Sequence, residues 1–431
     1  MAKSSHSTFL SMLDIWTLKP CQSSITDYQE LQVRPVSSFS SSSPIKFFIS
    51  SSQEDYLSFA ESEIYVKVKL SPEFKSTPTT DIWRNTVAPV NNFLHSLFKK
   101  CNVYINNREI TNDSSNYSYQ AYLQNLLGFS KAAQYSELST VCYADTNTER
   151  KNFLLQFVSS DLKTATFWLG GRLNIDLTFQ NKCLIGGTDV LIELLPNDPS
   201  FYMELAGDTK SCSVEFEDVV FYCHKFKVSK ELQTAHSLAL QKAEAKYPFT
   251  QHYVKSISIP SGLTQANLDN VYIGNLPRRI TVALIPERAY QGDFTKDPFE
   301  FISAKVNQFA FYVDGRQYPQ TSFKPKFTDV VHNTGSSVIR EYRSVLKALG
   351  ENHSNGKLNI SLNDWMKRPF YCYNFAPDLS AGGSHLCDVK SGQMSIHIEF
   401  EAALKDPIVV ILMAEFDKIL QIDKFGSVNL E

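Results

Sequence analysis

A histidine and a carboxylate two residues apart on a strand can face the same ion, and His397 and Glu399 stand at that spacing. A cupin-like metalloenzyme needs a third ligand at matching spacing. The sequence supplies none, and it contains no H-x-H, so an exposed polar strand face is the expectation. Cys223-His224, with Cys212 upstream, is a second possible metal cluster. Alternation puts Cys223 and His224 on opposite faces of a strand, where they cannot converge. Residues 350–358 read G-x5-G-K-L. A phosphate-cradling loop needs one residue fewer and a Ser or Thr after the lysine, so this is read as a polar loop. G-x-S-x-G, H-E-x-x-H and G-x-G-x-x-G are absent. The sequence therefore nominates no catalytic, cofactor-binding or metal-binding residue, and the chain is expected not to be an enzyme.

What the remaining residues must build follows from composition. The 431 residues allow two to four domains of ordinary size. Lys and Arg total 42 against 45 Asp and Glu, a net charge of −3. Tight nucleic-acid binding is not expected without a basic excess to displace counterions. Thirty Phe and 20 Tyr against four Trp point to strands and broad contact surfaces. The eight cysteines are scattered with no C-x-x-C pair, which reads as small buried thiols in a reducing compartment. No signal peptide is evident: residues 9–16 are weakly apolar but contain Asp14. No apolar run is long enough to span a bilayer. The sequons at Asn112, Asn116, Asn352 and Asn359 carry little weight without a secretory route.

Strand patterns dominate. Residues 45–49 form an apolar run, and 64–70 alternate strictly. Similar runs occupy 152–157, 166–169, 172–179, 190–195 and 214–221, with turn residues between them. Helices are expected over 92–98, 117–127, 230–245 (N-cap Ser229, with Leu232, Ala235, Ala239 and Ala243 on one face) and 338–349, closed by Gly350. The 230–245 helix lies near mid-chain and reads as a junction.

An internal repeat supports that division. Residues 103–110, VYINNREI, match 311–318, FYVDGRQY, position by position, and Asn-Asn and Asp-Gly are both turn pairs that tolerate positive φ. Each is followed by a predicted helix ending in Leu-Gly. Residues 171–179, GRLNIDLTF, match 392–400, GQMSIHIEF, and apolar strands follow at 190–195 and 408–413. On this pairing the second copy carries about a dozen extra residues, assigned to loops near 333–336 or 351–357. Leu173, Ile175, Leu177 and Phe179 should point into the first sandwich, with Arg172, Asn174, Asp176 and Thr178 away. Met394, Ile396, Ile398 and Phe400 should point into the second, with Gln393, Ser395, His397 and Glu399 away. The fold expected is all-β, two tandem jelly-roll sandwiches with a few short helices: 1–227, a linker helix at 228–246, and 247–431.

A further set of residues resembles a family. AKYPF at 245–249, ISIPSG at 257–262, GNLPRRITV at 274–282, AYQG at 289–292, DPFEF at 297–301, Asp314-Gly315, Pro319, Arg340-Glu341-Tyr342, FAPDL at 375–379, Gly392 and Phe400 are similar to the second jelly roll of major capsid proteins of Polinton (Maverick) elements and adintoviruses. In the first half, LDIW at 13–16, RPV at 34–36, IKF at 45–47, DYL at 55–57 and PVNNFLHSLF at 89–98 also resemble that family. The resemblance implies a structural, hexon-like subunit of an icosahedral DNA-virus capsid. It forms homotrimers that serve as pseudo-hexameric capsomers and meet neighbouring capsomers, a penton protein and minor capsid proteins. Such a chain resides in the virion, is made in the host cytoplasm or nucleus, and is not secreted. Pro277, Pro298, Gly315 and Gly392 are then turn and strand-start residues, and Asp378 turns the chain. The alternatives from other classes are a lectin-like, carbohydrate-binding tandem jelly roll and the cupin-like metalloenzyme.

Overall fold

Alternating apolar residues settle into strands wherever one face can be buried, and this chain uses that device throughout. The structure is a computed structural model. It describes residues 21–431 except 38–39, 41–42, 112–114, 208, 328–335, 351–359, 382–384 and 389. The LDIW opening, Asn112, Asn352, Asn359 and nearly all of the 333–336 and 350–358 stretches lie outside the described residues.

The first half contributes β1 (Ile25–Val33), β2 (Ile45–Ile49), β3 (Asp55–Phe74), β4 (Val87–Pro89), β5 (Phe98–Ile105), β6 (Arg108–Glu109), β7 (Ala165–Gly171), β8 (Val190–Pro196), β9 (Met203–Leu205) and β10 (Thr209–Val228). The second contributes β11 (Ala245–Ile259), β12 (Gln265–Asn275), β13 (Arg279–Pro286), β14 (Val306–Val313), β15 (Arg316–Phe323), β16 (Phe370–Asn374), β17 (Ser391–Phe400), β18 (Ile408–Ile422) and β19 (Val428–Leu430).

The strand orders make the duplication explicit. One sheet of the first half runs β1-β10-β3-β7, and its counterpart in the second runs β11-β18-β13-β16 with β19 added beside β18. The facing sheets run β2-β8-β5-β6 and β12-β17-β14-β15. Every strand of one half's four-stranded sheets thus has a partner of the same rank in the other. Two antiparallel sheets packed face to face in each half form a jelly roll, and the chain is a double jelly roll.

The hairpin repeat is borne out residue for residue. Asn106 and Asn107 (φ 46° and 65°) turn β5 into β6, as Asp314 and Gly315 (φ 47° and 76°) turn β14 into β15. Tyr104 pairs with Glu109 in one hairpin, and Tyr312 with Gln317 in the other. Each turn also grips the next strand. The Asn106 side chain accepts from Asp189 N (2.8 Å), and Asp314 Oδ1 accepts from Gln393 N (2.8 Å). Gly392 is required by this approach, since a Cβ there would lie 2.5 Å from Asp314 Oδ2.

The second pairing is corrected. Ile105, Val103 and Cys101 face Val190, Ile192 and Leu194, whereas Val313, Phe311 and Phe309 face Met394, Ile396 and Ile398. The partner of residues 392–400 is therefore β8, not 171–179, and the stretch between hairpin and partner is slightly shorter in the second half, not longer. Residues 172–179 leave the sheet after β7 and end in a 3-10 turn at Asp176–Phe179. Leu173, Ile175 and Leu177 are buried as expected, but so are Asn174, Asp176 and Thr178, while Phe179 is exposed. The far side of this segment is buried too, Asn174 against the helix residues 117–128 and Asp176 against His252 of the second half, so alternation carries no inside–outside meaning there. In β17 the expected register holds, with Met394, Ile396, Ile398 and Phe400 buried and Gln393 exposed.

Residues 152–157 are not a strand but the end of the helix Asn147–Leu155 and the turn after it. Thr146 and Glu149 form a capping box there, a start signal stronger than the apolar run behind it. The junction helix spans Lys230–Leu240, with Ser229 accepting from Leu232 N. It stops short of 245 because Ala245 already pairs with Ile422. The helix Tyr117–Gly128 and the helix Ser336–Ala348, the latter followed by Gly350 at φ 77°, lie where expected. The 92–98 segment gives only one helical turn, Phe93–Ser96, before β5 begins.

Candidate functional site: a seam and an open sheet face

The two jelly rolls meet along a seam, and the residues that form it are unequal in the two sheets. In β13 and β18 both faces are buried. Val282, Leu284, Val410 and Leu412 enter the second sandwich, while Ala283, Ile285, Ile411 and Met413 belong to a core continuous with the first half. Burial on both faces is why 408–413 is an unbroken apolar run. The covering elements are the helix Tyr117–Gly128 and the turn Asp176–Phe179.

Aromatic rings key the seam. Phe299, from the second half, stacks on Tyr122 at 4.4 Å and meets Tyr119 (5.6 Å) and Phe201 (6.0 Å) edge-on. Phe301 meets Tyr122 edge-on at 5.8 Å. Tyr290 stacks on Tyr119, and its hydroxyl donates to Asn116 Oδ1 at 3.1 Å. The Asn116 amide donates in turn to Val254 O. Asn116 is buried, so this sequon cannot present its side chain in the folded protein. Strand β19 and the turn before it add a clasp: Asn106 Nδ2 donates to Gly426 O (2.6 Å) and Arg108 Nη1 to Val428 O (2.8 Å).

Two buried charge clusters also bridge the halves. Arg150 is almost fully buried and lies 3.3 Å from Glu204 Oε1 and 3.2 Å from Asp297 Oδ2. Asn147 Nδ2 donates to the other Glu204 oxygen at 2.6 Å, and Asp297 Oδ1 accepts from Phe299 N. Burial and the Asp297 carboxylate push the Glu204 carboxyl up to about 7. In the second cluster Asp176 accepts from both the backbone N–H of His252 (3.0 Å) and its ring (2.7 Å). Glu415 lies behind that ring, held by Arg279 at 2.8 Å. Burial pulls His252 down, but Asp176 and Glu415 outweigh it and leave its value raised.

The constellations weighed for chemistry do not assemble. His397 lies between Asn267 and Glu399, 3.0 Å from the latter, on the outer face of β17 with no third ligand among the described residues. Cys223 is buried, while His224 faces out and stacks on Tyr28. Cys212 is buried too, its thiol pushed up to about 12. Cys101, Cys142 and Cys372 are likewise buried, Cys183 and Cys387 are partly exposed, and Cys21 is exposed. Among the described residues no three His, Cys, Asp or Glu side chains group to hold a metal, and no helix is long and apolar enough to cross a membrane. Ser380, His385 and Asp378 imitate a triad, but one ring nitrogen, Nε2, lies 2.9 Å from both Ser380 Oγ and Asp378 Oδ2. A relay needs one ring nitrogen for each partner. Asp378 also accepts from Ser380 N, which makes it the turn residue expected.

The outer face of β1-β10-β3-β7 is a different kind of surface. Trp168 is 47% exposed and Tyr65 37%. Tyr65 meets Tyr222 edge-on at 5.4 Å and lies over Gly170, where a Cβ would come within 2.6 Å of its ring. With Glu30, Gln32, Arg34 and Asp218 these rings line a concavity of about 580 Å3. On the counterpart sheet, β11-β18-β13-β16, the equivalent face is covered, along β11 and β18 by the first half and along β16 by the second half's own helix Ser336–Ala348. Sequence reasoning missed both surfaces. The T-x-x-E capping box and the DPFEF block were the available signals, and neither says that its residues meet across a seam.

No family model matches the chain. It is 24% identical over 345 residues to an uncharacterised protein of Caenorhabditis elegans, F54H12.2, covering 78% of this chain and 80% of that protein. Among solved structures it resembles a chain of the Sputnik virophage (TM-score 0.65, 12% identity, 100% of this chain and 93% of that one). It also resembles the Faustovirus major capsid protein (0.57, 10%, 96% and 93%) and the mavirus major capsid protein (0.52, 11%, 100% and 95%). At these identities the likeness establishes the fold, a double jelly roll over the full length.

Proposed function

We propose that this chain is a major capsid protein that assembles as a homotrimer, a pseudo-hexameric block of an icosahedral shell. The observation that carries the reading is the strand order repeated within one chain, in a fold shared over nearly the whole length with the mavirus and Faustovirus major capsid proteins. The division into 1–227, a linker at 228–246 and 247–431 belongs to the same reading, each unit supplying one corner of the block.

The unequal sheets support self-association. Within a chain the first half covers β11 and β18 of the second half's outer sheet, and the equivalent outer sheet of the first half, with Tyr65, Trp168 and Tyr222, stays open. If every contact around a ring is alike, the second half of a neighbouring copy covers that face, and the ring closes without a free patch. The Polinton and adintovirus resemblance sets the number of copies at three. Penton and minor capsid proteins are the further partners this role calls for, and the virion its location. With a net charge of −3 the chain supplies a shell wall, not a grip on the genome.

Native mass spectrometry tests this. The wild type is expected at three times the 48.8 kDa chain mass, and Trp168→Glu at one. Electron microscopy of the wild type at high concentration should show hexagonal blocks. A wild type that stays monomeric at micromolar concentration refutes the reading.

A further inference from the structure

The seam holds charge in an unusual way. Both of its buried clusters contain two carboxylates, one from each half, and in each a titratable proton lies between them, on the Glu204 carboxyl in one and on the His252 ring in the other. In the first, Glu204 stands on β9 and Asp297 on the loop before β14, with Arg150 of the helix Asn147–Leu155 between them. Arg150 is the guanidinium in ion-pair contact with both, so the two carboxylates crowd one partner, and burial beside Asp297 favours Glu204 as the carboxyl. Arg368 and the neutral Asn147 are the other polar groups that act on this pair. In the second, the His252 ring of β11 lies between Asp176 of the first half and Glu415 of β18. Arg279 faces Glu415 from the sheet, Arg278 is shared between Glu415 (3.8 Å) and Asp417 (2.7 Å), the neutral Gln124 reaches the ring from the helix Tyr117–Gly128, and Cys101 and Tyr117 line the same crevice. As an imidazolium, His252 ties Asp176 to the second half. As a neutral ring it leaves Asp176 buried with only its hydrogen bonds.

We propose that the seam between the two jelly rolls is a proton-held latch, closed in mild acid and loosened as pH rises through neutrality. The step is a simple ionisation. Glu204 gives its proton to solvent and leaves two carboxylates on one guanidinium, and His252 gives up its ring proton and leaves Asp176 without a counter-charge. Both groups move in the same direction. Glu204 is raised from the ordinary carboxyl range to about 7, so its contribution is full below about 4.5 and lost by about 7. His252 is also raised, so its contribution is full below about 6.5 and lost as pH climbs through its folded value. The latch rests on the geometry of the seam and holds whether or not the chain builds a capsid.

Hydrogen–deuterium exchange of the full-length protein, corrected for the intrinsic pH dependence of exchange, tests it. Between pH 5 and pH 8.5 protection of 203–206 and 293–299, beside Glu204, should fall by about tenfold or more, because a group that binds its proton tenfold more tightly when the seam is closed favours closure by about the same factor, and protection of 172–180 and 250–254, beside His252, should fall in the same direction. Strands β14 and β17, inside the second sandwich, should not change. Glu204→Gln keeps the shape and cannot ionise, so it should hold 203–206 and 293–299 at their acid protection up to pH 8.5. His252→Gln should show at pH 5 the loosened 172–180 and 250–254 that the wild type shows at pH 8.5. Should Glu204→Gln fail to fold, Asp297→Asn reports on the same pair. Seam protection that does not change with pH in the wild type, or that falls equally in the wild type and the neutral variant, overturns the proposal.

Discussion

Phe299→Ala removes the ring by which the second half enters the first. The side chain is 1% exposed and makes three ring contacts, a 4.4 Å stack on Tyr122 and edge contacts to Tyr119 and Phe201. Emptying a fully buried Phe site costs about 3–5 kcal/mol. The upper end applies here, because aromatic pairs add about 0.5–1.5 kcal/mol beyond area and the pocket walls are large rings unable to collapse. Phe309→Ala is the control: it is equally buried and stacks on Tyr371 at 4.4 Å, but lies wholly within the second sandwich. Urea unfolding, followed by exchange mass spectrometry of each half, separates the two. Phe309→Ala should weaken the second half selectively and lower its midpoint. Phe299→Ala should uncouple the halves, giving two transitions where the wild type gives one. A loss under about 1 kcal/mol, or a transition that stays single, refutes the view that this ring keys the seam.

Two further outcomes follow from the repeat. Gly315 has φ 76° with open space around it, so Gly315→Ala should cost about 1–2 kcal/mol by strain alone. Gly315→Asn should be nearly neutral in thermal unfolding, because Asn107 fills the same place in the first hairpin at φ 65°. Ile192→Ala and Ile396→Ala should each cost about 2–5 kcal/mol, whereas Ser395→Ala should stay within about 0.5. Equal losses at 395 and 396 would mean that the register of β17 is wrong.

The sequence reveals the sandwiches because each strand with one buried face repeats every second residue, and β2, β8 and β17 follow that rule closely. The hairpin repeat is legible because a turn with two positive φ angles admits few residues, and both copies use them. The rule fails where a segment is buried on both sides. At 172–179 polar Asn174 and Asp176 are buried alongside Leu173, since their partners come from Asn125 and His252. Alternation there is the trace of two different apposed surfaces, and a one-body reading assigns it to a strand. The seam is invisible for the same reason. Arg150, Asp176 and Glu204 read as surface charge until a second domain is laid over them.

Asn106 and Arg108 hold the carbonyls of Gly426 and Val428, residues 320 positions downstream. At about 5–20 residues per second a ribosome needs roughly 15–65 s to make the interval. The first hairpin therefore waits, folded or not, for a partner made that much later. Until His252, Tyr290 and Phe299 are made, Asp176, Tyr119 and Tyr122 on the seam face of the first half have no cover from the second half. A nascent chain is most open to pairing with a neighbour on the same message during this window. The clasp can thus close only after the second jelly roll has been made, with β19 arriving on a hairpin synthesised long before it.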